Sequence, residues 1–210
     1  MSYRVNDTDL VTDRTNDDVA ELKALIQKGL ANMTAAEKTK YLAGMKGAYN
    51  VDDVLRVQAA AVYLHTELGT LPDDLRNYAF ENEVEWQDEF DVPYAYPLTA
   101  LGDWSETEYS LGDLMSSTDR AEMLRDVRYL GGLLDTVAVN FPSQMERMTV
   151  FGANAIEQTL GELDVAYEAL KADRKAKIDA QAIYAAFIDA DGKAFMDADG
   201  KKYIVLQEET

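Results

Sequence analysis

Three times between Thr15 and Leu68 this chain writes a polar cap followed by apolar residues at three- and four-residue steps, a grammar that fits α-helices with one buried face. Thr15 with Asp18 has the spacing of a capping box, and Val19, Leu22, Leu25, Ile26 and Leu30 follow on one face. Thr34 with Glu37 repeats the signal ahead of Tyr41, Leu42 and Met45, and Asn50 with Asp53 opens a stripe of Val54, Val57, Ala61, Leu64 and Leu68. Gly69 and Pro72 then predict a break, with Pro72-Asp73-Asp74 starting a fourth helix, because proline is tolerated in a first turn. From Glu81 to Gly112 acidic residues alternate with Val84, Trp86 and Phe90, and Pro93 and Pro97 forbid a continuous helix, so a loop-rich crossover is expected. Helix resumes over Ser117 to Leu134 and again from about Thr149 to Lys171, where Ile156, Leu160, Leu163, Tyr167 and Leu170 keep the period. The charged continuation Lys171 to Lys177 suits a linker or an exposed stalk.

Near the C-terminus the period changes. Ile188-Asp-Ala-Asp-Gly-Lys-Ala-Phe195 is almost repeated as Met196-Asp-Ala-Asp-Gly-Lys-Lys-Tyr203, and the pairs Phe187-Ile188, Phe195-Met196 and Tyr203-Ile204 lie eight residues apart. Asp191-Gly192 and Asp199-Gly200 fall between them, and Asp-Gly supplies the positive φ that a type I′ hairpin turn needs. Three short strands in a meander are the simplest outcome, and a ribbon so small needs something to pack against. The fold class expected is therefore mainly α: a bundle-like helical body with a short C-terminal β-meander. Residues 1–14 read as an extended arm, 15–70 as a three-helix subdomain and 71–116 as a helix with an acidic crossover. Residues 117–172 read as a long helical pair, 173–183 as a linker and 184–210 as the β tail.

Thirty-nine acidic residues against twenty basic ones give a formal charge of -19, which repels phosphate backbones and anionic lipid. Neither nucleic acid nor a membrane is an expected partner. The acidic surplus is spread along the chain, as on a solvated surface, with charge complementarity to a basic partner as the alternative reading. There is no cysteine, which removes disulfides, thiolate metal sites and cysteine nucleophiles. The opening Met-Ser-Tyr-Arg-Val-Asn-Asp lacks an apolar leader core, so synthesis in the cytoplasm is expected.

Candidate chemistry is sparse. The Asp-x-Asp-Gly steps invite calcium, but an EF-hand register with Gly192 at position 6 puts Phe187 at position 1 and Ala198 at position 12, and with Gly200 there it puts Phe195 and Leu206. Both registers fail, leaving turn chemistry as the preferred reading and a looser site of Asp189, Asp191, Asp197 and Asp199 as the alternative. His65 is the only histidine and is expected to pack or cap near a helix C-terminus. Trp86, Trp104 and the tyrosines between them, with nearby carboxylates, would be the platforms of a carbohydrate-binding or glycan-hydrolysing module. Gly131-Gly132 lacks the Lys-Ser of a phosphate loop. No catalytic residue, metal or cofactor is expected.

Residues Thr12 to Leu68 resemble a module of tail-associated structural proteins from phages and prophages of Gram-positive bacteria. The elements that carry the resemblance are Thr12-Asp13-Arg14-Thr15, Asn32-Met33-Thr34 with Glu37, Gly44-Met45-Lys46-Gly47-Ala48-Tyr49-Asn50, and Arg56-Val57. Trp104, Met123 to Leu130, Pro142, Met145, Met148-Thr149 and Ala153-Asn154-Ala155-Ile156-Glu157 are similar to that family's downstream region. The resemblance implies a non-enzymatic virion component of the tail tip or baseplate, with other tail or fibre subunits as partners. The β tail suits an adaptor that forms a homo-oligomer, a trimer at a fibre junction being the leading arrangement, through Phe187, Ile188, Phe195, Met196, Tyr203 and Ile204. A carbohydrate-directed module and a calcium-binding acidic protein are the alternatives.

Overall fold

The computed structural model describes residues 10–110 and 113–186. Its first helix, α1 (Asn16–Lys28), starts at the expected box: Thr15 Oγ1 accepts from the Asp18 N–H, and the Asp18 carboxylate accepts from the Thr15 N–H. It stops at Gly29, whose φ of 74° suits glycine. A single 3-10 turn, Leu30–Asn32, leads to α2 (Ala35–Leu42), opened by the reciprocal Thr34 and Glu37 box. Lys28 Nζ lies 2.6 Å from the Glu37 carboxylate and Lys40 Nζ 2.6 Å from that of Glu21, tying the two helices at their exposed edges. Beneath them Leu25, Met33 and Met45 form a small core with Leu22 and Tyr41.

The expected break at Gly69 and Pro72 is absent: α3 (Val51–Glu81) is one helix with Pro72 inside it. The apolar period explains why. Leu64, Leu68, Leu71, Leu75 and Ala79 are all buried at three- and four-residue steps, so continuing the helix buries another two turns of apolar surface against the roughly 3 kcal/mol that an interior proline costs. Proline brings no N–H to the carbonyl of Leu68, and the Tyr94 hydroxyl donates to that oxygen instead, at 2.8 Å. Asn50 still caps the helix, its Oδ1 accepting from the Asp52 and Asp53 N–H groups.

The crossover contains single 3-10 turns at Asp88–Phe90 and Asp103–Ser105. Then α4 (Ser117–Gly131) begins at Ser116, which accepts from the Asp119 N–H, and buries Met123, Leu124, Val127 and Leu130. It is three residues shorter than the span read from sequence, ending at Gly131 with Gly132 as its cap, and Gly131 packs so closely on Thr159 and Val139 that a Cβ there would meet their methyls at 2.7 and 2.8 Å. The last helix, α5 (Val150–Ala186), runs well past Lys171. The stretch 173–183, read as a linker, is helical, with Ile178 fully buried. Residues 184–186 are the last of α5, and the remainder of the predicted β-meander, 187–210, lies outside the described residues. Among the described residues no helix is long and apolar enough to cross a membrane.

Contacts divide the chain into two compact units. The first takes residues up to Gly69 with Tyr94–Tyr167, so the predicted three-helix subdomain and the predicted helical pair fall largely in one unit. Gln58 braces it by donating to the Trp104 and Thr107 carbonyls at 2.7 and 3.0 Å. The second takes Thr70–Pro93 with residues from Glu168 on. Within it the Tyr78 hydroxyl donates to Asp179 at 2.8 Å, Arg174 Nε donates to the Asp91 carbonyl at 2.9 Å, and Phe90 is buried.

Candidate functional site

Within the first unit, three segments distant in sequence converge on one buried ion cluster. The stretch before α1 lies along α5: the Val11 N–H donates to Glu157 Oε2 at 2.6 Å, and Arg14 meets Asn154 through its N–H at 3.1 Å and its carbonyl at 2.9 Å. This register delivers the Arg14 side chain between α5 and α3. Its Nη2 lies 2.6 Å from Asp53 Oδ1 and 2.7 Å from Glu157 Oε1. Arg56, one turn along α3, pairs with the same two carboxylates, through Nε at 3.0 Å to Glu157 and through Nη2 to Asp53. Asp53 Oδ2 accepts from the Asn50 N–H at 2.9 Å.

Two guanidinium groups thus face two carboxylates, and each carboxylate oxygen accepts at least one hydrogen bond. Such saturation offsets the desolvation of buried charge. Burial works against the charge on Arg56, but Glu157 and then Asp53 outweigh it and lift that guanidinium above its ordinary value. Tyr49 lies beside the cluster with Arg14 Cζ 5.7 Å from its ring centroid. Burial, then the charges of Glu157 and Asp53, push its phenol far above the usual tyrosine range. The cluster contains the right groups for acid-base work, yet its carboxylates are committed to arginines, and a proton transfer would have to break those pairs. Its arrangement suits fastening: it holds the arm, α3 and α5 in one register.

Arg14, Tyr49, Asn50, Arg56, Asn154 and Glu157 all fall within segments singled out from the sequence. Sequence reasoning read Asp53 only as a cap and singled out no ion cluster, since charged residues from 14, 53, 56 and 157 have no local spacing that announces a meeting.

The other candidates fall apart from one another. Phe187, Ile188, Phe195, Met196, Tyr203 and Ile204, the turn residues Asp191, Gly192, Asp199 and Gly200, and the alternative calcium ligands Asp189 and Asp197 all lie outside the described residues. Among the described residues no group of three or more histidines and carboxylates is arranged to hold a metal. His65 sits inside α3, several turns from its end, with Nε2 2.9 Å from the Thr99 carbonyl; the expected position near a helix C-terminus is corrected by the passage of α3 through Pro72. Trp104 is fully buried, its Nε1 donating to Asp126 at 2.7 Å, so it offers no face to a sugar. Trp86 donates to Asp91 at 3.2 Å and has Arg76 stacked 4.9 Å from its centroid. Gly131 ends α4 and Gly132 is its cap, a structural use. No family model, no curated protein and no solved structure matches this chain.

Proposed function

We propose that this chain is a non-enzymatic structural subunit of a phage tail, baseplate or related tail-like particle, acting as an assembly adaptor that connects fibre or host-recognition subunits to the tail. The observation that supports the reading is the use made of the resembling residues. Arg14, Tyr49, Asn50, Arg56, Asn154 and Glu157 are turned on one another in a buried cluster, which is what a module selected for a rigid scaffold requires and what a catalytic motif does not. The acidic surface keeps such a subunit soluble before assembly. Homo-oligomer formation, with a trimer as the leading arrangement, is part of the proposal. Antibody labelling of particles released from the source cells, with mass spectrometry of the purified particles, tests it. Gold at one end of a tail and peptides at subunit stoichiometry are expected; particles free of this chain, or a substrate turned over by the pure protein, overturn the reading.

A further inference from the structure

The first unit carries a second feature, which adjoins the ion cluster at Tyr49 and Asn50. Between α1, α2, the start of α3 and residues 113–115 lies a groove of about 500 Å³. Leu22, Met45 and Val54 contribute to its lining, and Ile26, Leu42 and Leu114 stand on it 56%, 72% and 92% exposed. Three large apolar side chains exposed around one concavity mark a binding face more than a solvated one. Asp52 and Asp113 also line it, and among the described residues no basic side chain does. Among the described residues neither carboxylate has a cation beside it; Asp113 accepts only from the Ser110 N–H, at 2.6 Å.

We infer that this groove docks a basic amphipathic helix of another protein, its apolar side chains seated between Ile26, Leu42 and Leu114 and its lysines or arginines against Asp52 and Asp113. The charge pattern chooses the occupant. A second copy of a chain with net charge -19 brings more acid to an acidic rim, whereas a basic helix neutralises it. Helix-in-groove recognition seats the i, i+3, i+4 and i+7 side chains of an amphipathic helix in such an apolar groove. The inference stands apart from the assignment to a particle, since it concerns only what this face recognises.

The test uses the full chain and two labelled helical peptides with the same leucine spacing, one with lysine and one with glutamate on the polar face. Fluorescence anisotropy is expected to show binding of the lysine peptide alone. Leu42→Glu with Leu114→Glu should weaken it at least tenfold at unchanged helical circular dichroism, since both side chains are exposed. Asp52→Asn with Asp113→Asn should weaken it several-fold and flatten its salt dependence, while Glu106→Gln with Glu108→Gln should leave it unaltered. Equal binding of both peptides, indifference to the leucine changes, or an equal loss with the Glu106 and Glu108 pair overturns the inference. So does a dimer in sedimentation that Leu42→Glu disperses, which assigns the groove to a second copy. Displacement of the lysine peptide by a synthetic peptide of residues 187–210 assigns it to the chain's own tail and overturns the inference as well.

Discussion

The Asn154 side chain meets the main chain of Arg14 at both of its hydrogen-bonding groups, Oδ1 accepting from the N–H and Nδ2 donating to the carbonyl. One amide thus replaces the neighbouring strand that an extended segment would otherwise need. Asn154→Asp keeps the acceptor, removes the donor and adds a charge one turn from Glu157. We expect a loss of about 1–3 kcal/mol of stability in urea unfolding, together with trypsin cleavage after Arg14, which is 5% exposed in the folded chain.

Glu157 accepts from the Val11 N–H, Arg14 and Arg56 together. Replacing it with glutamine leaves two guanidinium groups sharing Asp53 in a dry site. Removing one partner of a buried pair leaves charge without compensation, so Glu157→Gln should cost about 3–5 kcal/mol. The loss should persist in 1 M salt, where exposed pairs such as Lys40 with Glu21 are screened. A loss that salt abolishes would mean the cluster is open to solvent.

Local signals were legible and distant ones were not. Thr15, Thr34 and Asn50 cap the helices expected of them because a cap and its target are three residues apart in any fold. Pro72 misled the reading although Leu68, Leu71, Leu75 and Ala79 already continued the stripe; the breaker is local, whereas the burial that outweighs it comes from packing. In α5 the buried residues Ala155, Ile156, Glu157, Thr159 and Leu160 cover more than half of the helix circumference, so no narrow apolar stripe set Glu157 apart. The arm reads as extended from sequence; residues 10–15 carry no helix and Thr15 is extended, but the anchors of this stretch lie 140 or more positions away.

Gly47 illustrates a glycine held by close approach. Its position sets the 44–50 loop directly on the first turn of α1, and a Cβ there would collide with the Asp18 carbonyl and approach the Val19 nitrogen to 2.8 Å. Both obstacles are backbone, so neither can swing aside. Gly47→Ala should therefore destabilise the chain by about 1–3 kcal/mol. Gly29→Ala, where a Cβ meets nothing within 4 Å but φ is 74°, should cost about 1 kcal/mol from backbone strain alone. Thermal unfolding of the two variants side by side checks the order.

Glu37 carries the pH dependence that is simplest to isolate. The Lys28 ammonium, and next the Thr34 N–H, hold its carboxyl down to about 2. A carboxylate held below its unfolded value adds stability that is fully present above the ordinary glutamate range and is lost as pH falls through the folded value. Protonating Glu37 releases Lys28 and half of the capping box, joining the end of α1 to the start of α2 more loosely. The difference in stability between the native chain and Glu37→Gln should be constant from neutral pH down to about pH 5, shrink below it and vanish near pH 2. Because the side chains are exposed, salt should shrink the same difference at neutral pH. Parallel curves for the two proteins across the whole acid range would mean that Lys28 does not hold this carboxylate in solution.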